Sequence, residues 1–254
     1  MTLVFSFVFI FLIGLSLGSF LSVLVVRLPL GEKGIAAGRS HCPHCRHQLA
    51  WYDLAPFLSY LLVRGHCRYC RQKISIVYPI IELATATVFV TYFYRTELSF
   101  DFSIIFQLFF LLIFISVIFS DFLYFIIPDK IIIPAIALAA IYPLLFQRGA
   151  IWNLLITGLV LSGIFAIIFI VSCGKWIGFG DVKLVTLIGL LFGYPLGFLA
   201  VIFSIWSGAL WGIMLMALRR ATMKTALPFG IFLSVVSIVF IIFQNEIQIL
   251  KIYF

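Results

Sequence analysis

Apolar stretches of about 17 to 25 residues recur along this chain, each long enough to cross a hydrocarbon core of about 30 Å. No feature constrains the fold more. Backbone polar groups inside a bilayer must be satisfied within the chain, which leaves helices or closed barrels. A barrel needs short alternating segments, and these are absent. The expected fold is therefore all-α, a polytopic transmembrane bundle. Charged residues make up only 10% of the 254, too few to clothe a soluble domain of this size. We read eight spans: 3–26, 77–94, 103–121, 128–146, 151–173, 182–197, 198–218 and 228–244. The division between the sixth and seventh rests on Tyr194-Pro195.

The net charge of +8 reports topology. With the segment 27–76 placed in the cytoplasm, fourteen of the seventeen Lys and Arg residues fall on that side, and only Arg95, Arg148 and Lys251 fall outside. This is the positive-inside distribution, and it puts both termini outside. The basic excess then points to membrane lipid, not to nucleic acid. The first positive charge, Arg27, follows the first apolar run, so that run is expected to remain as a span and not to be a cleaved signal.

Residues 27–76 form the one sizeable polar segment, with "HCPHC" and "HCRYC" inside it. Cys42 and Cys45 make one C-x-x-C pair, Cys67 and Cys70 another. Four thiolates on two tight knuckles suit the tetrahedral preference of Zn²⁺ and leave no open position for a catalytic water. In a reducing cytoplasm disulfides are the weaker alternative. His41, His44, His47 and His66 are read as solvated or supporting residues, and Cys173 as a small packing residue.

Acids at the membrane boundary are few: Glu82, Asp121, Asp129 and Asp181. Asp121 and Asp129 lie in "SDFLYFIIPDK" and Asp181 in "GFGDVKL"; in the topology above, all three sit at the cytoplasmic face. Two carboxyls at one depth on different helices can share a proton. One then activates a water while the other polarises a peptide carbonyl, the chemistry of an aspartic protease. Gly178 and Gly180 would let a substrate backbone come close. An acid at a helix start is also a good cap, and this reading stays open for Asp181 and Asp129. Asp121 ends a span, where the dipole disfavours an anion, so it is the expected partner of Asp181. Asp129 is the expected cap after Pro128.

These motifs together resemble the bacterial prepilin peptidases, a family of intramembrane aspartic proteases. "GLSLGSFLSVLVVRLP" is similar to the family's first span, the cysteine segment to its loop, and "DFLYFIIPD", "GFGDVKL" and "PFG" to its later motifs. The resemblance implies Asp121 and Asp181 as the dyad, with Gly178, Gly180, Lys183 and Pro128 in support. It implies cleavage of prepilins or pseudopilins of type IV pili or type II secretion systems, after a Gly that ends a basic leader. It also implies N-methylation of the new terminus with S-adenosylmethionine. That activity belongs to residues 1–95, where Glu82 is a candidate cofactor contact; the peptidase part is 96–254. The family often has Asn where this chain has Ser22, so a peptidase without methyltransferase activity is an alternative. A transporter or assembly scaffold with a zinc loop is the non-enzymatic one. Neither the particular pilin nor the oligomeric state can be read from the residues.

Overall fold

The computed structural model describes residues 2–29, 40–96, 102–146, 148–222 and 225–247. Lys33, Arg39, Lys224 and Lys251 of the charge distribution, and the acids Glu32, Glu97 and Asp101, lie outside the described residues. Among the described residues the secondary structure is helical, with two isolated β-bridges and no named strand. The chain forms two compact units, Met1–Phe100 and Asp101–Phe254.

In the first unit α1 (Thr2–Arg27) packs along α3 (Val77–Arg95). The contact is backbone against backbone. A Cβ on Gly14 would lie 2.6 Å from the Cα of Ala86, and one on Gly18 would lie 2.7 Å from the Cα of Glu82. Helices in lipid gain little from hydrophobic transfer, so close approach through small residues is what holds such a pair. Between these helices lie a 3-10 turn at Trp51–Leu54 and the short α2 (Leu58–Leu62).

The second unit holds α4 (Phe102–Tyr124), α5 (Asp129–Phe146), α6 (Ile151–Val171), α7 (Phe179–Phe192), α8 (Leu196–Ala217), α9 (Phe229–Ile242) and α10 (Gln244–Ile247). Helix α7 is the core element: α5, α6, α8 and α9 all pack on it, and Leu184, Val185, Leu187 and Ile188 are fully buried. Its closest neighbour is α6, where a Cβ on Gly189 would sit 2.7 Å from the Cα of Gly158.

Each of the eight expected spans falls on a helix, but the helices are unequal. Five, within α1, α3, α4, α6 and α8, are long and apolar enough to cross a membrane. Helix α9 is apolar but has 14 residues, and α7 also has 14. At about 1.5 Å per residue such helices fall short of a 30 Å core. The expected sixth span stops early for a local reason. Gly193, at φ 63°, ends α7, and Asn153 takes up the exposed backbone of Tyr194, accepting from its N–H at 2.7 Å and donating to its carbonyl at 3.0 Å. One amide side chain thus completes the hydrogen bonding at the break.

Candidate functional site

The four-cysteine segment is built twice over. Residues 40–49 and 65–74 follow the same hydrogen-bond plan. The N–H of Cys42 donates to His47 (3.0 Å) as that of Cys67 does to Gln72 (2.8 Å). The N–H of Arg46 donates to Cys42 as that of Arg71 does to Cys67, both at 2.9 Å. Arg46 and Arg71 take matching left-handed φ values of 56° and 58°, and β-bridges His41–Gln48 and His66–Lys73 close each turn. The signal was present in the sequence as "HCPHCRHQ" and "HCRYCRQK", a repeat that the cysteine spacing alone does not bring out.

The two knuckles bring their thiols together: the four Sγ atoms lie within 4.8 Å of one another, and those of Cys42 and Cys70 are 3.9 Å apart. Sulfurs at 2.3 Å around a tetrahedral ion would be about 3.8 Å apart, so the donor set fits such an ion with modest contraction. Burial would push the Cys42 thiol up, but the backbone N–H groups of Cys45 and His44 bring it down to about 6. For Cys70 the Gln72 N–H lowers the value, yet burial and the neighbouring thiols outweigh it and push it up to about 11. Thiols this close compete for ionisation, and a cation between them would let all four bind as thiolates.

Asp53 joins the second knuckle to the 3-10 turn. Its carboxylate lies 3.1 Å from the Arg68 guanidinium and accepts from the Tyr69 hydroxyl at 3.0 Å and the Ala50 N–H at 3.2 Å. The bond to Asp53 pushes the Tyr69 phenol up to about 12. Sequence reasoning left Asp53 aside. His47 lies against Tyr69 with ring centroids 3.7 Å apart and planes tilted by 32°, and the possible metal-ligand cluster among the described residues contains the cysteines alone. Cys173 is not packed: it is exposed, at φ 50° in the turn that ends α6.

Glu82 is buried, and its carboxylate is engaged inside the first unit. It accepts from the Phe57 N–H at 2.7 Å and meets the Ser19 hydroxyl. Ser22, 1% exposed, gives its hydroxyl to the Ser19 carbonyl at 2.7 Å.

In the second unit the acid motifs converge. Asp121 lies in the last turn of α4, which ends where Phe125, at φ 54°, donates its N–H to the Asp121 carbonyl. The unfavourable end of α4 is answered by the favourable end of another helix. The N–H groups of Gly230 and Ile231, in the first turn of α9, are directed at the Asp121 carboxyl, and its Oδ2 is buried without a hydrogen bond. Gly230 is required here, since a Cβ would come within 2.8 Å of that Oδ2.

Asp181 sits in the first turn of α7 and accepts from the Gly178 N–H at 3.1 Å. Ile127 lies between the two acid motifs: a Cβ on Gly180 would be 3.0 Å from its Cβ, and one on Gly230 would be 3.2 Å from its Cδ1. Asp129 begins α5, as expected, but it also pairs with Lys183 of α7, whose ammonium stands 4.7 Å from the Phe179 ring centre. Pro128 sets α5 going by accepting from Ile131 and Ile132. Ile127, Gly230 and the Asp129–Lys183 pair were missed or misread because each depends on a tertiary neighbour.

Two family models match successive parts of the chain. Residues 12–96 match the Bacterial Peptidase A24 N-terminal domain, and residues 108–213 match the Type IV leader peptidase family. A prepilin leader peptidase/N-methyltransferase of Bacillus subtilis (strain 168) is 31% identical over 94% of this chain and 94% of its own length. The protein of the same name from Vibrio cholerae is 37% identical over 72% of this chain and 76% of its own, and that of Pseudomonas putida 28% over 92% and 90%. No solved structure matches. From its N-terminal helix pair to its acid motifs, the chain belongs to the type IV leader peptidase family.

Proposed function

We propose that this protein removes the basic leader from type IV prepilins or pseudopilins, cutting after a Gly, with Asp121 and Asp181 as the acid pair. The observation that carries this reading is the meeting of "DFLYFIIPD", "GFGDVKL" and "PFG" around Ile127 within one unit. The ionised carboxylate takes a proton from water. Water oxygen then attacks the scissile carbonyl, and the protonated partner donates to that carbonyl's oxygen. Proton return to the amine nitrogen breaks the C–N bond. Gly178, exposed at the start of α7, leaves room for the substrate backbone, Gly180 admits Ile127 beside Asp181, Pro128 sets the start of α5, and Lys183 ties α7 to Asp129 of α5.

The four thiolates of Cys42, Cys45, Cys67 and Cys70 would hold one Zn²⁺, whose role is structural because they complete its tetrahedron. S-adenosylmethionine would supply the methyl group for the new N-terminus from a site within residues 1–95. Glu82 would serve that site through the Phe57 turn, since its carboxylate is already engaged there. In the orientation set by the basic residues, the cysteine segment and both acids would face the cytoplasm and both termini would lie outside, with α5, α7 and α9 needing their flanking turns to complete eight passes through the bacterial inner membrane.

A peptidase without methyltransferase activity is the second reading. It is favoured by Ser22, which is buried with its hydroxyl spent on its own helix. Co-expression with a candidate prepilin, read by mass spectrometry, separates the two. Cleaved and methylated product supports the first; cleaved but unmethylated product with cofactor present supports the second. Uncut prepilin in the presence of folded wild-type enzyme removes both for that substrate.

A further inference from the structure

Between the two knuckles the chain carries a dense apolar surface that neither the metal cluster nor the acid motifs use. Trp51 is 83% exposed, and Leu58, Leu61 and Leu62 of α2 are 59%, 54% and 77% exposed. The three leucines stand at i, i+3 and i+4, so they share one face of α2. Such side chains are unfavourable in water, so the surface calls for an apolar neighbour.

The height of α2 is fixed by Glu82. Helix α3 has 19 residues, about 28 Å at 1.5 Å per residue, so crossing a core of about 30 Å takes all of it. Its first turn therefore lies at the edge of the hydrocarbon. Glu82, about 7.5 Å further along the axis, receives the N–H of Phe57, the residue that caps the start of α2. The buried carboxylate thus ties α2 to the level of the lipid boundary. Arg27, at the end of α1, adds a second tie by donating to the carbonyl of His41 at 3.2 Å.

The charge around this surface is one-sided. Arg46, Arg64, Arg68, Arg71 and Lys73 are exposed, while Asp53 is the sole carboxylate among the described residues 40–76 and is paired with Arg68. We infer that the Trp51–Leu62 segment is an interfacial anchor that seats the four-cysteine segment on anionic phospholipid. The apolar side chains enter the headgroup boundary by about 5–10 Å while the basic ring meets lipid phosphates. This inference does not depend on the assignment of the acid pair.

The test uses the full-length, metal-loaded protein in phosphatidylcholine vesicles with and without phosphatidylglycerol. The difference in emission between wild type and Trp51→Phe isolates Trp51. Expected is strong quenching of that share by lipids brominated near the carboxyl end of the acyl chain, weak quenching by aqueous iodide, and deeper burial when phosphatidylglycerol is present. In Arg64→Gln/Lys73→Gln the dependence on phosphatidylglycerol should fall. In Leu58→Ser/Leu61→Ser/Leu62→Ser the iodide exposure should rise while bound metal stays, which separates lost anchoring from lost fold. Quenching by iodide but not by bromine overturns the inference, as does protection from both, the result of a cover made by the rest of the chain or a second copy. Bromine quenching indifferent to phosphatidylglycerol overturns the anionic part of the proposal.

Discussion

The cysteine segment and the acid site are assembled by opposite means. The first repeats a short local rule: two ten-residue turns, the same backbone bonds and the same left-handed arginine, so that each turn brings two thiols with it. The second has no local unit. Asp121, Asp181 and Gly230 come from three helices, and their motifs touch at Ile127, where glycines at 180 and 230 leave space for it. A locally built site should fail by losing its ligand, whereas a tertiary site should fail when an atom is added.

The sharpest break is chemical. Asp121→Asn and Asp181→Asn keep the shape but cannot pass a proton, so each should lower prepilin cleavage by roughly 10²–10⁴-fold or more while the protein remains in the membrane. The double variant should be no worse than either single one, because the pair acts as a unit. Robust cleavage by Asp181→Asn would reduce that residue to a helix cap.

Next in size comes an added methyl group. Gly230→Ala should strongly depress cleavage and cost about 1–3 kcal/mol of overpacking, read from a thermal melt in detergent. Gly163→Ala, whose Cβ would meet nothing within 4 Å, is the matched control and should leave both unchanged. Equal effects from the two would dissolve the contrast drawn above.

Ligand removal should act on the other region. Cys67→Ser should abolish stoichiometric zinc in elemental analysis and raise proteolytic sensitivity between residues 40 and 76. Its effect on cleavage should be smaller than that of either Asp variant. A folded wild type that carries no zinc after careful purification would count against the metal.

The smallest effect belongs to the Asp129–Lys183 pair. Asp129 is largely exposed, so Asp129→Asn or Lys183→Met should each cost about 0–1 kcal/mol and reduce cleavage modestly. The swap Asp129→Lys/Lys183→Asp should recover part of the loss if the contact between α5 and α7 is what matters.

How much was legible follows the same division. Apolar length and cysteine spacing are properties of consecutive residues, and the all-helical fold and the thiol cluster were readable from them. The break near Tyr194-Pro195 was marked in the sequence, but its completion by Asn153, on another helix, was not. The position of Asp121 looked costly when its own helix was considered, and only the start of α9, more than a hundred residues later, offsets that cost. Glu82 drew notice as an acid at the membrane boundary, but the backbone N–H of Phe57 that it holds carries no mark in the sequence.

The doubled knuckle has a consequence for how the segment orders itself. Each turn supplies half of a coordination sphere, and neither half is much of a binding site alone. An ion held by both acts as a cross-link that closes a ring of about 25 residues, removing the chain freedom of everything between them; the entropy at stake grows only slowly with ring length. Order should therefore arrive in a single step as metal is added, without a population in which one turn is loaded and the other is still searching. What lies inside the ring, Asp53 and α2 included, would then be arranged by an ion that touches none of it.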